Sequence, residues 1–151
     1  MSQHNEVGKI GEDLARKYLE EKGYKIIEQN YKTRFAEIDL VAEKQESFSW
    51  KNIIDGFKEK IDKKTGCEKI ENKKENKSKL VFVEVRTKIG EQFGSPEETL
   101  DRKKLWKVLQ NAKSYSAFKR WQGEEQIDAI CIVLNPDFSV NRLTHHENII
   151  S

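Results

Sequence analysis

The sequence predicts an α/β domain built on a mixed β-sheet covered by helices, and three observations carry that prediction. Val7, Ile10, Leu14 and Tyr18 recur at helical spacing ahead of Gly23, which marks a helix over residues 5–22. Two runs rich in aliphatic and β-branched residues, 37–42 and 80–88, alternate with a period of two and mark strands. A second helix over 101–120, capped by Asp101, carries an apolar stripe of Leu105, Val108, Leu109, Ala112 and Tyr115 and precedes another strand at 126–134. A chain of 151 residues has the size of one domain and is long enough to enclose a core.

The remaining elements complete the order. Residues 24–30 form a short first strand, and 31–35 a turn into the strand at 37–42. Residues 90–96 form a loop, with Ser95-Pro96-Glu97-Glu98 opening a short helical turn. Asn135-Pro136 ends the strand at 126–134, and a weaker strand at 140–144 leads into a polar tail. The sequence therefore reads as helix, three strands, helix, strand, with a late strand added. Residues 44–79 interrupt this order between the second and third strands. Counted from Glu43, the stretch holds eleven lysines and eight acidic residues. Trp50, Ile53, Ile54, Phe57 and Ile61 fall at helical spacing and predict a short amphipathic helix, after which the apolar period is lost. The expectation is a single domain carrying an expanded polar hairpin loop at 44–79.

Charge stands inside both apolar strands. Glu37 and Asp39 share one face of 37–42, with Ile38 and Leu40 on the other. Along 80–88, Glu84, Arg86 and Lys88 share a face with Leu80 and Phe82, while Val81, Val83 and Val85 fill the opposite one. Glu84 is bracketed by Val81, Phe82, Val83 and Val85, the pattern of a strand buried on both faces. Two carboxylates directed the same way from two strands repel each other, and burying them is costly unless something positive lies between. Carboxylate oxygens are the ligands that magnesium and manganese prefer, which makes Asp39 and Glu84 candidate metal ligands. The competing reading places these charges in solvent on a half-exposed sheet.

Composition narrows the classes. Hydrophobic and charged residues each make up 36% of the chain, so the core must be compact. No run approaches the roughly 18 apolar residues of a membrane span, and residues 1–6 lack a signal peptide's apolar stretch. These features predict a cytoplasmic protein without a membrane partner. Cys67 and Cys131 are too few for a disulfide framework and lack metal-site spacing, and Cys131 reads as a reduced core residue. His145-His146, adjacent on an extended tail, read as surface residues. The net charge of +2 conceals an asymmetry. Residues 101–120 hold seven basic side chains (Arg102, Lys103, Lys104, Lys107, Lys113, Lys119, Arg120) against Asp101 alone. A stripe of one sign predicts a polyanionic partner.

These residues also carry a resemblance. Gly8, Gly11-Glu12, Ala15, Leu19 and Gly23, then Asn30, Glu37-Ile38-Asp39, Val81-Phe82-Val83-Glu84-Val85-Arg86, Phe93-Gly94, Pro96, Lys103 and Ala112 together resemble the YraN/UPF0102 family. That family is similar to Holliday-junction resolvases and to the PD-(D/E)XK nucleases, which implies a restriction-endonuclease-like core. The likeness covers most of the chain outside 44–79 and the last fifteen or so residues. The superfamily carries a helix Glu, a strand Asp and Glu-X-Lys on the next strand, which correspond to Glu12, Asp39, Glu84 and position 86. Glu12 lies off the main apolar stripe of its helix, on a face shared with Gly8, Ala15 and Leu19. Small residues there let the helix approach the sheet and bring the carboxylate near the strands.

Two positions depart from the family pattern. Ala36 stands where the family usually shows Gly. Arg86 occupies the place of the superfamily lysine; it stays protonated and is no base, though its guanidinium can hold a phosphate through two bonds. Lys88 sits about 13 Å beyond Glu84 along an extended strand and reaches a metal poorly, whereas Lys103 or Lys104 can reach in from the basic helix. The resemblance implies Mg²⁺ (or Mn²⁺) held by Asp39, Glu84 and the Val85 carbonyl, with Glu12 and Arg86 completing a catalytic set. Glu37 is a candidate to orient water or a second metal. Lys88, Arg102, Lys103, Lys104 and Lys107 would bind nucleic acid. The expected function is an endonuclease acting on DNA, including branched or structured DNA, and the resolvase analogy implies a homodimer. Two alternatives stay open: a non-catalytic nucleic-acid-binding module of the same fold, and a metal-free scaffold whose acids pair only with Arg86 and Lys88.

Overall fold

The computed structural model describes residues 3–34, 36–45 and 78–150. The elements run α1 (Gln3–Glu21), β1 (Tyr24–Lys32), β2 (Glu37–Gln45), β3 (Ser78–Ile89), a 3₁₀ turn (Glu97–Thr99), α2 (Arg102–Lys119), β4 (Glu124–Leu134) and β5 (Val140–His146). The five strands form one mixed sheet in sequence order. Its pairings are antiparallel except β3 with β4, which run parallel with α2 as the crossover. This is the α/β arrangement that the restriction-endonuclease-like reading calls for. No described helix is long and apolar enough to cross a membrane. Cys67 and the helical spacing from Trp50 to Ile61 lie outside the described residues.

The sheet has an apolar layer on each face, which is why β3 and β4 read as nearly continuous aliphatic runs. On the α1 side, Ala15 and Leu19 pack with Leu40, Ala42, Val81, Val83, Val85, Ile130 and Ile132. On the α2 side, Val108, Ala112 and Tyr115 pack with Ile38, Val41, Leu80, Phe82 and Ile127. The faces assigned to β3 from sequence are the ones observed. Those assigned to β2 are not: Ile38 belongs to the α2 layer and Leu40 to the α1 layer. The β2–β3 ladder runs from Gln45↔Ser78 to Leu40↔Val83 and pairs nothing beyond. The alternation slips at Asp39, where β2 leaves β3 while its other edge stays paired with β1 at Ile38 and Glu37.

Several boundaries also move. β1 continues to Lys32, through residues read as a turn, with Asn30 in a left-handed conformation at φ 51°. Lys44, Gln45, Ser78 and Lys79 belong to the β2–β3 ladder rather than to the loop at 44–79. β5 extends to His146. The buried line of α1 is Val7, Gly11, Ala15 and Leu19, with Ile10, Leu14 and Tyr18 flanking it. The helix is rotated toward its small residues because these allow the close approach. A Cβ added at Gly11 would lie 1.7 Å from Thr87 Oγ1 on β3, so only glycine fits that contact without a shift. The N-terminus of α2 is capped as expected, the Asp101 carboxylate accepting the Lys104 N–H at 2.7 Å.

Candidate active site

Where β2 parts from β3, the first half of α1 and the first turn of α2 close over the gap. The resulting cavity of about 420 Å³ is lined by Glu12, Glu37, Asp39, Glu84, Arg86, Lys88 and Lys104, among others. The four residues read as catalytic (Glu12, Asp39, Glu84, Arg86) therefore meet in one place, and Val85 lines the same cavity.

The fold fixes each acid differently. With Ile38 and Leu40 turned to opposite layers, the Asp39 side chain leans across the gap and its Oδ2 accepts the Val85 N–H at 2.7 Å. It thereby replaces the main-chain partner that β2 no longer supplies. A strand residue's N–H and C=O leave on the same edge, so the Val85 carbonyl also faces this gap. Glu84, 1% exposed, projects toward the α2 layer, where Arg86 NH2 and Lys104 Nζ meet its Oε1 at 3.0 and 3.2 Å. Its Oε2 is buried and has no hydrogen-bond partner. Glu12 is held by Asn30, whose Nδ2 donates to Glu12 Oε2 at 3.0 Å. Glu37 pairs with Lys32 at 3.0 Å and stays at the rim.

Electrostatics follow from that crowding. Burial, then the nearby Glu84 and Glu12 charges, push the Asp39 carboxyl up to about 7, against the opposing Val85 N–H and the Lys104 charge. Burial also raises Glu84, with Lys104 and Arg86 pulling it back and Glu37 adding to the rise. The donor set facing the cavity is oxygen only, and one buried carboxylate oxygen there lacks any partner. An oxygen-ligated divalent cation such as Mg²⁺ or Mn²⁺ fits that donor set and would satisfy the orphan.

The basic residues divide into two groups. Lys104 reaches into the cavity, as the reading of a lysine supplied by the helix anticipated. Lys88 lines it too, but its ammonium donates to the carbonyls of Phe93 and Gly94 at 3.3 and 3.0 Å rather than to the acids. Arg102, Lys103 and Lys107 lie outside, around a shallow surface hollow that they share with Trp106. Trp106 is 62% exposed and was not singled out from sequence, although a tryptophan off the apolar stripe of a basic helix is a visible signal.

Other buried polar groups went unread. Asn111 on α2 donates to the Ala36 carbonyl at 3.1 Å and meets Thr33 Oγ1 at 2.9 Å, tying the helix to the β1–β2 connection. Asp128 is fully buried on β4, and His145 Nε2 lies 2.9 Å from its Oδ2. The surface reading of His145 is therefore wrong: β5 stays paired through His146 and turns the His145 imidazole inward, onto a carboxylate that needs a partner. His146 points away from His145, toward Glu97. Cys131 is buried as a free thiol, as expected.

Comparison with known proteins agrees with the resemblance noted from sequence. A model of the "Uncharacterised protein family UPF0102" matches residues 11–132. A UPF0102 protein of Flavobacterium johnsoniae is 32% identical over 149 residues, covering 95% of each chain. One of Caldanaerobacter subterraneus subsp. tengcongensis is 34% identical over 143 residues, covering 92% of this chain and 89% of that one. A third, of Persephonella marina, is 32% identical over 134 residues, covering 88% of each. The chain belongs to the UPF0102 family.

Proposed function

We propose that the protein is a metal-dependent endonuclease that hydrolyses phosphodiester bonds in DNA, including branched or structured DNA. The observation that carries this reading is the pair of carboxylates at the β2–β3 gap, half-buried Asp39 and buried Glu84, with Glu84 Oε2 unpartnered. Asp39, Glu84 and the Val85 carbonyl would hold Mg²⁺ or Mn²⁺. When bound, such an ion lowers the pKa of a coordinated water and offsets charge on the scissile phosphate.

The chain's own residues supply the rest. Arg86, 29% exposed at its side chain, presents a fixed charge to a phosphate while its NH2 stays on Glu84. Lys104 brings a second cation to the same carboxylate and supplies the ammonium that the strand lacks at position 86. Both can stabilise charge that develops on phosphate oxygens. Glu12, fixed by Asn30, would accept a proton from water. Arg102, Lys103 and Lys107 would dock the nucleic-acid backbone beside the cavity. The same reading takes the protein to be cytoplasmic and a homodimer.

One observation favours a second reading. Because Glu84 is already met by two cations, the site is partly neutralised without metal, as a non-catalytic nucleic-acid-binding module would need. Incubating labelled linear, flapped and branched DNAs with the protein and Mg²⁺ or Mn²⁺, beside Asp39→Asn, separates the two. The endonuclease cuts and the variant does not; the binding module retains DNA without cutting.

A further inference from the structure

A second group of ligating side chains, different in chemistry from the acid cavity, stands where the 3₁₀ turn meets β4 and β5. The Cys131 thiol, one His146 ring nitrogen and one Glu97 carboxylate oxygen all lie within 4.8 Å of one another. His146 Nε2 is 3.6 Å from Glu97 Oε1. Cys131 is fully buried, and His146 Nε2 is shut off from solvent without a hydrogen-bond partner. A ring nitrogen desolvated in that way is costly, and the Glu97 carboxylate, at 3.6 Å, lies too far to hydrogen-bond it.

We infer that Glu97, Cys131 and His146 form a zinc site, with water as the fourth ligand, that clamps the 3₁₀ turn to the β4–β5 edge of the sheet. Zinc–ligand bonds of about 2.0–2.3 Å in a tetrahedron separate the donor atoms by about 3.3–3.8 Å. The Glu97–His146 distance of 3.6 Å already falls in that range, and the thiol stands within 4.8 Å of both. A thiolate and an imidazole select Zn²⁺ over Mg²⁺, the reverse of the all-oxygen cavity.

Charge balances as well. On binding, the Cys131 thiol releases its proton to solvent and a zinc–sulfur bond forms. The thiolate and the Glu97 carboxylate then offset the dication. Arg142 donates to Glu97 through NH1 at 2.5 Å and NH2 at 3.1 Å, and its NH2 also meets Glu91 at 2.6 Å. Glu91 thus balances the guanidinium, which orients the Glu97 carboxylate from the outer side while Oε1 keeps a lone pair for the ion. The side chains of Glu97 and His146 are 27% and 38% exposed, so the cluster lies near the surface although Nε2 itself is covered.

The test uses the full-length, metal-free protein titrated with Co²⁺ as a coloured substitute for Zn²⁺. One equivalent should produce a sulfur-to-cobalt charge-transfer band together with the visible bands of a four-coordinate ion. Zn²⁺ should displace it, and excess Mg²⁺ should not. Cys131→Ser should lose the charge-transfer band. His146→Gln should bind cobalt at least about tenfold more weakly, direct ligands mattering no less than the groups that orient them. Asp39→Asn should keep the full spectrum, so the outcome is independent of any nuclease activity. Circular dichroism monitors folding; should Cys131→Ser misfold, the partly exposed His146→Gln decides. A wild type without the sulfur band, or unchanged cobalt affinity in folded His146→Gln, overturns the site.

Discussion

Asp39 and Val85 are joined across the opening between β2 and β3: the carboxylate accepts the Val85 N–H at 2.7 Å, one residue past the last rung of the ladder on β2 and two past it on β3. A side chain thus takes over a main-chain partnership, and it does so beside the least exposed acid of the cavity, Glu84. That bond steadies Asp39 but does not cancel its repulsion from Glu84, whose charge still raises it.

A divalent ion should relieve that repulsion. Calorimetric titration with Mn²⁺ should show binding that disappears in Glu84→Gln, and Mn²⁺ should raise the melting temperature of the wild type only. Unchanged binding in Glu84→Gln would move the ion elsewhere.

The metal-free protein should also lose stability as pH rises. Asp39 sits at about 7 in the folded state against about 3.9 in an unfolded chain. The folded state therefore holds this proton more tightly, and the associated stability is full below about 4 and falls as pH rises to about 7. Melting in chelator should occur at higher temperature at pH 5 than at pH 8, by more in the wild type than in Asp39→Asn. A melting temperature that rises equally in both across this interval would contradict the assignment.

Arg86 separates a phosphate clamp from a purely structural partner. Since Lys104 also meets Glu84, Arg86→Ala should cost about 1–3 kcal/mol of stability, less than a fully broken buried pair. Turnover should fall by about one to three orders of magnitude, the range for one lost charge-stabilising donor. Arg86→Lys should preserve or raise cleavage. Early melting of both variants together with no activity in the wild type would count against the enzyme.

The exposed basic face of α2 should supply much of the affinity for nucleic acid. Charge reversal at Arg102, Lys103 and Lys107 leaves Lys104 on Glu84, and should weaken DNA binding and flatten its dependence on salt. Equal salt slopes in the wild type and the triple variant would remove the helix from the interface.

What the sequence made legible was whatever obeys a local period. The faces of β3, the stripe of α2 from Val108 to Tyr115 and the Asp101 cap are each set by neighbours a few residues away, and each is as read; only Leu105 of the stripe stands outside the core clusters. The convergence of Glu12, Asp39, Glu84 and Arg86 was legible through the ordered motifs of the family resemblance. Long-range partnership was not. The slip at Asp39 coincides with the end of the β2–β3 pairing, and the inward turn of His145 depends on Asp128, seventeen residues away. The short-range pattern shows neither. Nor does it show that Lys88 serves the Phe93–Gly94 loop instead of the acids, since that bond rests on how the loop folds back.

Cleavage of labelled four-way, flapped and linear DNA by wild type and Asp39→Asn, with Mg²⁺, with Mn²⁺ and in chelator, tests the central claim most directly. Metal-dependent cutting of at least one branched substrate, lost in chelator and in Asp39→Asn while DNA binding persists, is the predicted result. Binding of every substrate with no cutting under either metal would contradict it and leave the UPF0102 chain a nucleic-acid-binding module.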